Sequence, residues 1–319
     1  MPNAGYNVAF GIGVESTYGT AVAASLWARA ESWNDDPSSP QIPIQALHNG
    51  RGQAGRSAVN TISDISGSYT IRGHYDGGVL ATHLRAATGG TYSTSGSGPY
   101  KHDIGIAGTL PSVTLRPVYG TGVGGATELG AVIAGVKVDS LEATFSGQDS
   151  LMDISCNWRG SSYTSGAAGT PSYGTDNAIL PQAVGTIAWN SGTWTPSSLT
   201  LSITNGLEDV RQLGSKTLSA RYQVNKRTIR MTFSVLRESD AFQTAHAALT
   251  EDDAVVTITN GTDILKLTLY NARVVESVPH AIGDTSLVVE TIVLEGRDDG
   301  TNDTLLIELT NGDTNAEDS

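Results

Sequence analysis

The sequence predicts a mainly β protein, built as two duplicated β-sandwich or rolled-barrel domains with one short packed α-helix in each. Three observations carry this. Apolar and polar residues alternate with the period of two that a half-buried sheet requires, as in Ile229, Met231, Phe233 and Val235 against Arg230, Thr232 and Ser234. The chain of 319 residues holds 37 glycines among many Ser, Thr and Asn residues, so turns and loops occupy much of it. A strand-then-helix unit occurs twice, over Gly67–Gly89 and over Thr228–Asp252, and similar elements flank both occurrences in the same order.

In the first half, Tyr69, Ile71, Gly73 and Tyr75 alternate as a strand. Asp76 is placed to cap a helix whose apolar stripe is Leu80, Leu84 and Ala87, and Gly89-Gly90 ends it. The segment GGTYSTSGSG, Gly89 to Gly98, reads as a flexible interruption. Strands follow at Ser112–Val118 and through Val136–Trp158, with a hairpin tip at Gly120–Gly130. The stretch after Gly160 is rich in Gly, Ser, Ala and Pro and lacks periodicity, which sets domains at 1–160 and 186–319 around a linker at 161–185.

In the second half, Leu199, Leu201 and Ile203 mark a strand, and Ser239 or Asp240 caps a helix presenting Phe242, Ala245 and Leu249. Further strands are predicted at Ala254–Thr259 and within Leu265–Leu294. Ser286–Gly296 is apolar on both faces, which predicts a central strand covered on both sides. Neither helix is long enough to be stable alone, so each is expected against a sheet. Upstream of each unit an Asn-Gly turn, Asn49-Gly50 or Asn205-Gly206, opens a polar loop with basic residues. These are Arg51 and Arg56 in one loop and Arg211, Lys216 and Arg221 in the other. The acidic tail after Asn311 is expected to fray.

The residue patterns predict no catalytic, cofactor-binding or metal-binding residues. His48, His74, His83, His102, His246 and His280 are scattered without metal-ligand spacing. Gly11-Ile12-Gly13 has no following lysine of a phosphate loop, and the Asp298–Asp303 turn lacks the closing glutamate of a calcium loop. There is no nucleophile elbow, and the single Cys156 sits in an alternating run as a small buried hydrophobe. The formal charge of −13 opposes stable binding to a nucleic-acid backbone. No apolar run approaches the length of a membrane span, and MPNAGYNVAFGIG lacks a signal-peptide pattern.

The opening segment YNVAFGIGVESTYGTAVAASLWARAESWN, with Gly11, Gly13, Glu15, Tyr18, Gly19, Thr20 and Ala21, resembles the start of siphophage major tail tube proteins. SLTLSITNGLEDVRQLGSK and TLLIELTNG are also similar to segments of that family. The resemblance implies two tail-tube-like domains in one virion protein of the phage tail, made in the host cytoplasm. It implies subunits that stack as rings into a hollow tube, and DNA that passes without stable binding. It also implies a tail terminator, a baseplate or tip and a tape measure protein as partners, and neither enzyme activity nor a cofactor. A chain with two tube domains would make a trimeric, pseudo-hexameric ring. Arg51, Arg56, Arg211, Lys216 and Arg221 would then sit on arms that reach the neighbouring ring. Asp139, Glu142, Asp153, Glu290 and Glu308 are the acidic candidates for the lumen, where weak, repulsive contact suits a moving polyanion. A secreted adhesin or carbohydrate-binding module, a capsid decoration protein and a tail terminator are the alternatives.

Overall fold

The computed structural model describes residues 8–36, 41–43, 58–60, 65–72, 77–119, 129–146, 151–166, 168–173, 185–210, 220–223, 225–279, 288–298 and 300–312. The first half runs β1 (Val8–Val14), β2 (Leu26–Arg29), β3 (Ser32–Asp36), β4 (Gln41–Pro43), β5 (Ala58–Asn60), β6 (Ile65–Arg72), α1 (Gly77–Thr88), β7 (Gly89–Ser95), β8 (Tyr100–Ile106), β9 (Val113–Tyr119), β10 (Leu129–Ser146), β11 (Asp153–Gly160) and β12 (Ser162–Ser165). The second runs β13 (Gly185–Trp189), β14 (Gly192–Trp194), β15 (Ser198–Thr204), β16 (Leu207–Val210), β17 (Ala220–Gln223), β18 (Thr228–Leu236), α2 (Ala241–Ala248), β19 (Glu251–Asn260), β20 (Asp263–Pro279), β21 (Val289–Glu295) and β22 (Leu305–Asn311). The fold is mainly β, as the alternation predicts, and its strands pair antiparallel.

Two long strands organise it. The first leg of β10 pairs with β9 and β12, and its second leg pairs with β11 and β15. The first leg of β20 pairs with β19 and β22, and its second leg pairs with β21. Each strand bends at a residue in the left-handed region, Gly135 at φ +64° and Asn271 at φ +48°. Glycine is needed at the first bend, because a Cβ there would lie 2.1 Å from the Ser161 Oγ. Asparagine is among the few other residues that tolerate that conformation. A carboxylate holds each bend by its backbone N–H: Gly135 donates to Glu15 Oε1 at 2.8 Å and Asn271 to Asp253 Oδ1 at 3.0 Å. Bulges follow at Asp139 and Val275, where the register against the next strand shifts.

The second legs lie in one eight-stranded sheet of order β3-β6-β11-β10-β15-β18-β21-β20. The remaining strands, apart from the separate pairs β4–β5 and β16–β17, extend from the first legs, as β2-β1-β9-β10-β12 and as β14-β13-β19-β20-β22-β8-β7. Between these layers runs one continuous hydrophobic core. Phe10 of β1 meets Tyr69 of β6 with ring centroids 4.6 Å apart, and Phe242 of α2 meets Trp194 at 4.7 Å and Phe233 at 5.8 Å. The pairing order of β1, β2, β3, β6, β9, β10, β11 and β12 recurs in β13, β14, β15, β18, β19, β20, β21 and β22, with a helix after β6 and after β18. The β7–β8 hairpin has no counterpart among the described residues.

Two expectations are corrected, on Gly89–Gly98 and on β21. Gly89–Gly98 is not an open interruption, because it contains β7, paired with β8. Within the stretch 161–185, β12 pairs with the first leg of β10 and Ala168 is buried. β21 is central between β18 and β20, but only Glu290, Ile292 and Leu294 are buried and the alternate residues are half-exposed. Asp76, Asn49-Gly50 and the tail after Gly312 lie outside the described residues. α1 does stop at Gly89, which takes φ +76°.

Candidate functional site

The eight-stranded sheet buries one face and leaves the other mostly polar, because, apart from positions such as Val289 and Val293 of β21, every second residue along its strands is Ser, Thr, Asn or charged. Hydroxyls and amides meet across neighbouring strands: Thr70 with Ser155 at 3.1 Å, Asn157 donating to Ser140 at 2.9 Å, and Ser234 with Thr291 at 3.1 Å. Three arginines of this face, Arg72, Arg159 and Arg230, are matched to carboxylates. Arg72 Nη1 lies 2.6 Å from Asp153 Oδ1 and its Nε lies 3.5 Å from Glu31. Arg159 lies 3.3 Å from Asp139, and Arg230 lies 2.9 Å from Glu295. Such half-exposed pairs contribute little to stability. Their effect is electrostatic: these three guanidiniums are answered locally, which mixes and weakens the field of the face.

Of the five acidic candidates, Asp139, Glu142 and Asp153 belong to this face. Glu142 is exposed on it, and Asp153 is held by Arg72. Asp139 sits at the β10 bulge, where its backbone carbonyl accepts from Asn205 N at 2.8 Å and its Oδ1 from Leu207 N at 3.0 Å. The other two lie elsewhere. Glu290 is on the core side of β21 and 1% exposed. Glu308 is on β22, outside the eight-stranded sheet, with its carboxylate 2.5 Å from Lys101 and 2.7 Å from Lys266. Alternation marks a polar position without saying which layer it serves.

The two polar loops emerge at matching places, β4–β5 between β3 and β6 and β16–β17 between β15 and β18. Arg221 stands in β17 opposite Asp209 in register, while Arg51, Arg56, Arg211 and Lys216 lie outside the described residues.

The N-terminal motif is a packing device. A Cβ at Gly13 would lie 2.3 Å from the Ala23 carbonyl oxygen, so the chain after Thr20 crosses β1 only where side chains are missing. Glu15, 8% exposed, accepts from Gly19 N at 2.9 Å, Thr114 Oγ1 at 2.8 Å and Gly135 N at 2.8 Å. It thereby ties the turn, β9 and the bend of β10 together. Sequence reasoning finds these residues only as a motif. Their partners lie about a hundred positions away, so no local signal reveals the task.

The buried titratable side chains are poor candidates for catalysis. Burial pushes the Cys156 thiol up to about 12, which suppresses the reactive thiolate. Burial lowers His83 to about 4 against the opposing hydrogen bond to the Val79 carbonyl, so the imidazole is neutral at ordinary pH. His74 lies outside the described residues. Among the described residues no group of three histidine, cysteine or carboxylate side chains is placed to hold a metal. Among them, too, no helix is long and apolar enough to cross a membrane.

No curated protein matches the chain. A polar sheet face, a large antiparallel sheet with two short helices among the described residues and the Gly-x-Gly-x-Glu segment stand together here with a family match over nearly the whole length. The family model of the phage tail tube protein matches residues 5–305, and the chain belongs to that family of phage tail structural proteins.

Proposed function

We propose that the chain is the major tail tube subunit of a phage with a long non-contractile tail, and that it acts structurally and not as an enzyme. Three chains form a pseudo-hexameric ring, and rings stack into the hollow tube through which the genome passes. The observation that carries this reading is the eight-stranded sheet, made of two four-stranded sets with the same order of pairings and one shared polar face. Two copies of one tube unit in each chain account for that recurrence. Three such sheets would line a channel with hydroxyls, amides and matched charges. A polyanion would find few unanswered cations there to slow it. The mass of isolated rings, read with the symmetry of tube cross-sections by electron microscopy, tests the count. Three chains per ring are expected, and six would overturn it. A cross-section with this face on the outside would overturn the lumen assignment.

The arms β4–β5 and β16–β17 are proposed to reach the next ring, with Arg51, Arg56, Arg211, Lys216 and Arg221 supplying cations to acidic groups there. Their matching places in the two halves favour this. Replacing Arg51 and Arg56 by Glu should slow tube growth and leave the chain folded; unchanged growth would remove the idea. The tail terminator, the tip or baseplate and the tape measure protein are the partners that this role requires, and the assembled protein belongs to the virion tail.

A further inference from the structure

Within the eight-stranded sheet the two halves of the chain meet at one seam, and that seam specifies a second. Within the chain, β10 pairs with β15 from Ser140↔Thr204 to Ser146↔Ser198. α1 lies behind it. Leu84 of α1 shares a small apolar gap with Leu199 and Leu201 of β15 and Leu265 and Leu267 of β20, and Asn205 Nδ2 donates to the Ala87 carbonyl at 2.9 Å. With cover on both sides, α1 buries Leu80, Ala81, Thr82, His83, Leu84, Ala86, Ala87 and Thr88.

At the other end of the sheet the same parts stand without the cover. α2 buries only Phe242 and Ala245, while Ala241, Thr244, Ala247 and Ala248 are exposed and the Leu249 that follows is 60% exposed. From Glu276 to Pro279 the second leg of β20 pairs with β21, and its other edge carries no strand among the described residues. β3, at the opposite end, pairs with β6, and its second edge from Ser32 to Asp35 likewise carries no described strand.

We infer that the edge of β20 pairs antiparallel with β3 of a second copy of this chain, in the register of the internal β10–β15 seam, and that the exposed face of α2 packs against that copy. This seam rests on the ring proposed above. Two alignments set the register. β20 is matched to β10 by the bends at Asn271 and Gly135 and the bulges at Val275 and Asp139. β3 is matched to β15 through the cross-strand pairs Trp33↔Tyr69 and Leu199↔Phe233, and through Gly67↔Trp158 and Met231↔Leu294 beyond them. The internal pairs Glu142↔Ser202 and Ala143↔Leu201 then become Val278↔Asp36 and Pro279↔Asp35 between copies.

One difference follows from chemistry. Asn205 N donates to Asp139 O at 2.8 Å, so in β10 the backbone of odd-numbered residues faces β15. Pro279 takes the place of Ala143 and brings no N–H, so the seam between copies loses a hydrogen bond that the internal seam has. The proline also makes the edge of a lone chain a poor template for random strand addition.

Cysteine pairs test the register. Val278 and Asp36 would form a non-hydrogen-bonded pair across the seam, the kind with closely approaching side chains. The native Cys156 is buried and leaves the background clean. In assembled material, oxidation of the chain carrying Asp36→Cys and Val278→Cys should convert the monomer band on a non-reducing denaturing gel into dimer and trimer. Either single variant should remain monomeric. Glu142→Cys with Ser202→Cys, the internal equivalent, should close within one chain and serves as the positive control. Rings that form while Asp36→Cys and Val278→Cys stay unlinked and the control links would overturn this seam alone. Chains that never associate, with or without the substitutions, would overturn the ring itself.

Discussion

His83 shows how a single residue carries a condition of the fold. It lies on α1 at 0% exposure, with Nδ1 2.6 Å from the Val79 carbonyl and its ring edge-on to Phe10 and Tyr69 at 5.7 and 5.4 Å. Burial lowers its pKa from 6.5 to about 4 despite the Val79 hydrogen bond. The unfolded chain therefore takes up this proton at a higher pH than the folded chain does. The stabilisation is complete above the unfolded value and is lost as pH falls through the window from about 6.5 to about 4. The loss should reach about 3 kcal/mol, since each tenfold drop in proton affinity is worth about 1.4 kcal/mol. Denaturant unfolding of the parent and of His83→Leu across that window should show the parent losing this extra stability while the variant does not. Parallel curves would refute the assignment. None of this is legible in the sequence, where His83 is one of six scattered histidines. Its neutral, caged state depends on residues of β1 and β6 that only the folded chain brings to it.

At the scale of elements, alternation locates β15, β18 and β19 well, because a half-buried strand writes its own period into the residues. It misses β7, whose Gly, Ser and Thr residues carry no apolar rhythm, and β12, four residues whose strand character comes from the bend of β10. Pairing is harder still. Arg72 and Asp153 form one cross-strand pair although 81 positions separate them, so the matched charges of the polar face have no local signature. Glu308 illustrates the same limit. Its place in an alternating strand groups it with the lumen candidates, yet it links β8, β22 and β20 by accepting from Lys101 and Lys266. Burial raises its carboxyl, but the hydrogen bonds and charges of the two lysines outweigh this and hold the pKa below its ordinary value. Its contribution is thus present above the usual carboxylate range and is lost as pH falls through the lowered value. Glu308→Gln leaves two lysines facing a neutral amide and should cost about 1–3 kcal/mol, as for other hydrogen bonds to charged groups. Faster amide exchange in β8 than in β6 would place the loss there; an equal rise in both would mean that the link is not local.

The whole molecule departs most from what composition suggests. A Gly/Ser/Pro stretch between two similar halves reads as a linker between separable domains, and separable domains unfold separately. The contacts argue otherwise. β10 of the first half pairs with β15 of the second, β8 of the first pairs with β22 of the second, and Asn205 reaches across to the Ala87 carbonyl of α1. Leu84 packs with Leu199, Leu201, Leu265 and Leu267, and the buried residues of both halves form one hydrophobic cluster. Unfolding the second half alone would strip α1 of its outer cover and leave β8 and β10 with bare edges, so neither half retains a closed core without the other. One cooperative transition is therefore expected. Trp27, Trp33 and Trp158 report on the first half and Trp189 and Trp194 on the second, so fluorescence of variants keeping only one set can follow each half separately. The two sets should give coincident denaturant midpoints, matched by far-UV circular dichroism. Midpoints that separate, or a stable proteolytic fragment beginning near Gly185, would restore two independent domains. The internal seam would then be a weak contact, and its register could no longer serve as the pattern for the seam between copies.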